Sequence, residues 1–158
     1  MLYETGGIYC DIDIEAVKRF DDLLVNKGFL GCECDEVVNN AIFGMEKGHP
    51  LMQECMDYMD KTPLDTPNIE LETGPRMFTN LCKKRGYNNK NQNQQITDIT
   101  IYNNKYFYPY FYTEEYSPKC ITNETYAIHH WAGTWTLNKK LEDELVSIVI
   151  PCYKQAEY

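Results

Sequence analysis

The sequence predicts a mixed α/β domain, and three observations carry that prediction. An alternating apolar stretch over residues 8–17 reads as a strand, and two segments opening at His49-Pro50 and Thr73-Gly74-Pro75 gather their apolar residues on one face, as amphipathic helices do. The predicted order, strand, helix, strand, strand, helix, helix, strands, mixes both element types along the chain without an internal repeat. With 158 residues, 43% of them apolar, the chain is long enough for one compact domain with a core of its own.

Taken in order, residues 2–5 followed by Gly6-Gly7 read as the last turn of a helix, because glycine readily takes the left-handed conformation that ends helices. That helix is expected to begin before Met1. From 8 to 17, Ile8, Cys10, Ile12 and Ile14 alternate with Tyr9, Asp11, Asp13 and Glu15, which puts Asp11 and Asp13 on one face of a single strand. Phe20, Leu23 and Leu24 predict a short helix closed near Gly28, and 29–33 and 41–45 two further short strands. The helix opening at His49-Pro50 carries Leu51, Met52, Cys55, Met56 and Met59 and stops before Pro63. In the next, Thr73 is the expected cap, Met77, Phe78, Leu81 and Cys82 point inward, and Gly86 is the stop. Residues 87–95, YNNKNQNQQ, are too polar to build a core and read as a mobile surface loop. Strand-like segments follow at 96–102, 106–112 and 126–131. A charged helix at 137–145 then leads to a β-branched run of the kind buried parallel strands use, cut off after a polar turn.

The formal net charge of −9 excludes a protein that tracks nucleic-acid phosphates, which needs a basic stripe, and an anionic ligand would need a metal or a local positive site. No stretch approaches the roughly 20 apolar residues of a membrane span, and no secretion signal opens the chain, so a soluble protein is expected. The seven cysteines form no CxxC pair and no zinc-like spacing, and read as reduced, mostly buried small hydrophobes of a cytosolic protein.

Asp11 and Asp13 are the chemically loaded pair. At the carboxyl end of a strand, where open α/β sheets place their ligand crevices, two carboxylates on one face can hold a hard divalent cation that keeps open positions for phosphate oxygens. Such a pair lets an acidic protein bind a nucleoside diphosphate. His129 and His130, adjacent on a strand, face opposite ways, so only one can reach the same site. "YFYPYFY" at 106–112 reads as packing, with Pro109 at an edge or bend, in preference to a sugar platform. Glu33, Asp35 and Glu72 are spare carboxylates near these motifs, and none is singled out as a nucleophile.

The stretch "LYETGGIYCDIDIE" resembles the signature of glycosyltransferase family 32, the sugar-binding region containing a DXD motif, whose bacterial members include capsular polysaccharide enzymes. The resemblance continues through "FLGCECD", "NNAIFGMEKGHP", "ETGPRMFT" and "YAIHHWAGTW" and so spans residues 1–136. It implies a GT-A fold, a Rossmann-like sheet that binds nucleotide-diphospho-sugars, and hexosyl transfer with retention of anomeric configuration. Carried over by position, Asp11 and Asp13 match the DXD carboxylates that bind Mn2+ or Mg2+, which offsets charge on the departing diphosphate. His129, in preference to His130, is then the candidate third metal ligand, with a core or surface histidine satisfied by a backbone carbonyl as the alternative. Asn40, in the family's NN segment, is a donor-site residue as an alternative to a plain turn, Thr134 a partner for a donor phosphate, and Trp135, like Trp131, a cover for sugar or diphosphate as an alternative to core packing. The implied partners are a UDP- or GDP-sugar donor and a glycan acceptor in surface or capsular polysaccharide synthesis. A lipid-linked acceptor would bring the protein to the inner face of a bacterial membrane, on its cytoplasmic side.

In this family a segment with the first nucleotide-binding strands precedes the DXD strand. Residues 1–136 are accordingly expected to be the C-terminal part of the transferase domain, a partial GT-A fold lacking its N-terminal strands, with 137–145 a helical linker. Residues 146–158, "VSIVIPCYKQAEY", resemble the truncated start of a family 2 glycosyltransferase domain. The isolated chain is expected to be weakly active or inactive. Two other readings stay open: a non-catalytic fragment that binds nucleotide-sugar or carbohydrate, and an acidic α/β interaction module in which Asp11 and Asp13 are merely solvated.

Overall fold

The computed structural model describes residues 1–63, 65, 69–133 and 148–150. A six-stranded mixed sheet is built from β1 (Gly7–Cys10), β3 (Gly28–Cys34), β4 (Val37–Met45), β5 (Gln94–Ile96), β6 (Ile99–Tyr102) and β8 (Ile148–Ile150), in the spatial order β5-β6-β3-β4-β1-β8. Only β3 and β6 run parallel. The other neighbours pair antiparallel, including β8 on β1 through Ile8↔Ile150, so the run at 148–150 forms the expected strand but not a parallel one. A separate two-stranded sheet joins β2 (Ile14–Ala16) to β7 (Ala127–His129). The helices are α1 (Leu2–Thr5), α2 (Pro50–Met59), α3 (Ile69–Thr73) and α4 (Pro75–Lys83).

Two apolar clusters pack on the sheet. The larger takes Leu51 and Cys55 from α2 and Met77, Phe78, Leu81 and Cys82 from α4 against Leu30, Val38, Phe43 and Ile101. That is the inward face the spacing predicts for α4, whereas on α2 Met52 and Met56 are only half-buried and Met59 is 50% exposed. The smaller joins Ile8, Phe29 and Ile42 to Phe107, Tyr108 and Ala127. Its rings lie against the sheet because glycine leaves room for them. A Cβ on Gly44 would stand 2.3 Å from the Phe29 ring, and one on Gly31 would stand 2.6 Å from Phe107.

Several elements differ from the sequence expectation. The single strand at 8–17 is two strands in different sheets. Asp11 N–H makes the last rung to Ala41 O (2.7 Å), a turn closes from Ile14 N–H to Asp11 O (3.2 Å), and Ile12, expected inward, is 49% exposed. Thr73 does not cap α4. It ends α3, an element the sequence did not reveal, with its hydroxyl on Ile69 O (2.8 Å), and Gly74 is the N-cap of α4. The short helix near Leu23 is one 3-10 turn, Asp21–Leu23. Segment 96–102 is a β5–β6 hairpin end with a turn at Thr97, whose φ is 52°. Segment 106–112 is no strand but a 3-10 turn, Asn104–Tyr106, followed by irregular chain through Pro109.

The polar stretch 87–95 is not a free excursion. Tyr87 is buried with its hydroxyl on Cys32 (3.3 Å), Glu36 N–H donates to Asn89 O (3.0 Å), and Asn91 N–H to Asp35 Oδ1 (2.8 Å). Asn91 Oδ1 and Asn93 Oδ1 in turn accept from the backbones of Asn104 and Asn103 (2.7 and 2.8 Å), so the amide side chains substitute for sheet rungs. The expected helix at 137–145 lies outside the described residues.

Candidate active site: a carboxylate–histidine cluster in an open cleft

The break between β1 and β2 builds the site. Because the chain leaves the large sheet at Asp11 and enters the small one at Ile14, both carboxylates sit in the connecting turn. β2 then pairs with β7 in the register Ile14↔His129, which carries the histidine to the same place. His129 Nε2 stands 3.2 Å from Asp13 Oδ2, and one ligand atom from each of Asp11, Asp13 and His129 lies within 4.8 Å of the others. His130, on the opposite face of the strand, turns away to Glu15 Oε2 (2.7 Å).

Neighbouring groups fix the three side chains. Tyr9, on β1 two residues before Asp11, donates its hydroxyl to Asp11 Oδ1 (2.6 Å). Ala132 N–H donates to Asp13 Oδ2 (2.9 Å), and His130 N–H to the Asp13 carbonyl (2.9 Å). The His129 backbone N–H reaches Phe107 O (3.1 Å), and its ring packs on Trp131 with 4.1 Å between centroids. Trp131 is held at φ 53° and donates its indole N–H to Tyr110 O (3.1 Å). A bulky residue in left-handed backbone is costly, and such strain persists only where the surroundings enforce it.

The electrostatics of the pair are divided. Burial pushes the Asp11 carboxyl up, the Tyr9 hydroxyl opposes this, and the neighbouring Asp13 charge adds to it. Burial also raises Asp13, but the His129 hydrogen bond and the Ala132 N–H outweigh it and hold that carboxyl below the ordinary carboxylate range. Two partly buried carboxylates at this separation repel, and a cation between them would relieve the repulsion. The donor set also fits one: two hard oxygen ligands and an imidazole, with His129 Nδ1 buried and lacking a hydrogen-bond partner among the described residues.

The cluster opens into a cleft of about 530 Å³. β4 supplies one part of it through a bulge: between the pairs Phe29↔Gly44 and Gly31↔Asn39, β3 advances two residues while β4 advances five. The extra chain sets Asn39, Asn40 and Ala41 beside Asp11. Asn39 is committed structurally, its amide N–H to Glu33 Oε2 (2.8 Å) and its carbonyl accepting from Ala41 N–H (2.8 Å), while Asn40 is half-buried on the cleft. Gly74 and Pro75 bring the N-terminal end of α4 to the cleft wall, and its cap makes no side-chain hydrogen bond. No lysine or arginine is among the described lining residues.

The structure therefore gathers Asp11, Asp13, His129 and Asn40 at one cleft, while Thr134 and Trp135 lie outside the described residues. Glu33 holds Asn39, Glu72 pairs with Arg76 and Asp35 with Lys90, so these carboxylates have structural partners. Sequence reasoning passed over Tyr9, although its two-residue spacing from Asp11 placed it on the same face. It also passed over Tyr112, which lines the cleft from the segment read as packing.

The conserved region of the alpha 1,4-glycosyltransferases matches residues 44–155. The chain is similar to human alpha-1,4-N-acetylglucosaminyltransferase, 25% identical over 146 residues that cover 83% of this chain and 39% of that protein. It is also similar to an uncharacterized protein of Arabidopsis thaliana, 26% identical over 147 residues that cover 82% of this chain and 22% of that protein. The chain thus spans well under half the length of these relatives. No solved structure gives a significant match.

Proposed function

The chain belongs to the alpha 1,4-glycosyltransferase family, and from that membership we propose that it carries the donor site of a metal-dependent enzyme that moves a hexose from a UDP- or GDP-sugar to a glycan hydroxyl. The observation that carries the proposal is the convergence of Asp11, Asp13 and His129 in a cleft lined by no lysine or arginine among the described residues. A diphosphate entering a cleft of this charge is repelled unless a cation accompanies it.

In this reading Asp11, Asp13 and His129 hold Mn2+ or Mg2+, and the imidazole favours Mn2+, because Mg2+ keeps to oxygen ligands. The ion, when bound, neutralises charge on the diphosphate leaving group. Tyr9 and the Ala132 N–H hold the two carboxylates in place, and Trp131 covers His129 against solvent. The α4 N-terminus adds backbone N–H groups suited to a phosphate oxygen, and Asn40 offers an amide to sugar hydroxyls. An α-linked product formed from a UDP-α-hexose requires retention at the anomeric carbon, which agrees with the motif resemblance. That resemblance also supports a surface or capsular polysaccharide as acceptor, reached at the inner face of the membrane. No helix among the described residues is long and apolar enough to cross one.

Calorimetry with UDP, UDP-N-acetylglucosamine and GDP-mannose, each with and without Mn2+, tests the proposal. Binding is expected only with the metal, and to weaken at least about a hundredfold in Asp11→Ala and Asp13→Ala. Metal-independent binding, or variants that bind like the unaltered chain, would overturn it. Transfer of labelled sugar by the longer protein, abolished in the same variants, separates an enzyme from a binder.

A further inference from the structure

Beside the carboxylate–histidine cluster stands an aromatic arrangement whose outermost ring, Tyr112, the donor site does not use. From His129 the rings run outward: Trp131 lies 4.1 Å from the imidazole, and Tyr112 stands edge-on to Trp131 at 6.0 Å with 66° between planes. Exposure rises along this series, from a buried His129 and a half-buried Trp131 to Tyr112 at 60%. Contiguous aromatic side chains on a cleft wall form the kind of apolar patch found at ligand-binding grooves.

Tyr112 is also held in place. Phe111 and Glu114 exchange hydrogen bonds, Phe111 N–H to Glu114 Oε2 (2.6 Å) and Glu114 N–H to Phe111 O (2.8 Å), which closes a turn with Tyr112 at its tip. The Phe111 ring backs Tyr112 at 4.3 Å, and the Trp131 indole fixes the preceding residue through Tyr110 O. A platform ordered in advance loses little entropy on binding.

We propose that Tyr112, supported by Trp131, is the platform for the acceptor, receiving the apolar C–H face of the pyranose at the end of a glycan chain. This rests on the reading that the cluster holds the metal and the donor diphosphate. A pyranose has polar hydroxyl edges and an apolar face of C–H groups, and the negative face of an aromatic ring attracts such C–H groups. The remaining described lining is polar or charged apart from Ala41, Gly74, Pro75 and Gly133, so it suits the hydroxyl edges. The acceptor is favoured over the donor sugar by position: Tyr112 is the ring farthest along the series from the metal ligands and the most open to solvent, where the rest of a long glycan must lie. A donor sugar is tied to the diphosphate at the other end.

Saturation-transfer NMR on the chain with Mg2+ and UDP, using methyl β-D-galactopyranoside and methyl β-D-glucopyranoside as probes, tests the platform. Contact is expected at ring C–H protons. The apparent Kd should rise about fivefold to tenfold in Tyr112→Ala and stay near the original in Tyr112→Phe, which keeps the ring. UDP binding should be unchanged in both variants. The platform is overturned if neither glycoside binds, if Tyr112→Ala binds them as before, or if Tyr112→Phe loses as much as Tyr112→Ala. Glycoside contact that depends on the Tyr112 ring in a chain that fails to bind UDP with metal would instead sink the donor reading and leave the platform standing.

Discussion

His49 shows how one side chain couples the start of a helix to pH. Only 1% exposed, it accepts from Leu51 N–H through Nδ1 (3.1 Å) and so caps α2, while Nε2 lies 3.5 Å from Asp98 Oδ1. The cap requires the neutral ring. Burial holds His49 below the usual imidazole range despite the Asp98 and Glu46 carboxylates, and Arg85 acts in the same direction as burial. Below about pH 6.5 the unfolded chain therefore binds a proton that the folded chain refuses, and stability falls on acidification with a slope up to about 1.4 kcal/mol per pH unit. Asp98, itself held below the carboxylate range, loses its contribution only at more acid pH, so the two windows separate. Urea unfolding at pH 7.5, 6.5 and 5.5 should show this loss, and His49→Asn, which keeps a capping side chain without the titration, should flatten it. Equal pH slopes in the two proteins would contradict the role. The helix start at His49-Pro50 was legible from sequence, but the burial that keeps the ring neutral was not, because it depends on packing against elements distant along the chain.

Among the elements, the junction of α4 with β4 bears most directly on the cleft. Thr79, buried on the inward side of α4, accepts from Val38 N–H (2.9 Å) and donates to Val38 O (3.3 Å), which satisfies the β4 backbone where the bulge toward Asn39 and Asn40 begins. Thr79→Val keeps the shape and strands a buried N–H, at a cost of about 1–3 kcal/mol. Thr79→Ser should recover most of it. The midpoint of urea denaturation measures both, and a Thr79→Val protein as stable as the original would mean the bond contributes nothing. Periodicity found Met77, Phe78, Leu81 and Cys82 because apolar spacing reports burial directly. It could not find Thr79, whose task is polar, nor the break in the strand at 8–17. Alternation there continues straight through the turn at 11–13, and only the rung to Ala41 and the pairing of β2 with β7 show where one sheet ends.

Across the whole molecule, the two apolar clusters make one sheet-centred unit in which three thiols are sealed: burial pushes Cys32 up to about 11 and Cys55 and Cys82 up to about 12. Among the other described cysteines, Cys10, Cys34 and Cys120 are only half-buried. A thiol-reactive dye added to the folded chain should leave three thiols untouched that react after denaturation, and their labelling rate should track global unfolding by urea. Fast labelling of Cys55 or Cys82 would show that the helix layer opens locally. By itself, the sequence determined the α/β class, the two helices and the carboxylate pair, because each rests on spacing between near neighbours along the chain, and its ordered motifs carried the likeness to a glycosyltransferase. The tertiary structure alone decided that Asp11 and Asp13 meet in a turn, that His129 rather than His130 reaches them, that the amide-rich stretch is pinned to its neighbours, and that Tyr112 opens on the cleft. Each of these depends on strands and turns distant in sequence coming into register, and that register is set by packing across the sheet, which no local pattern encodes.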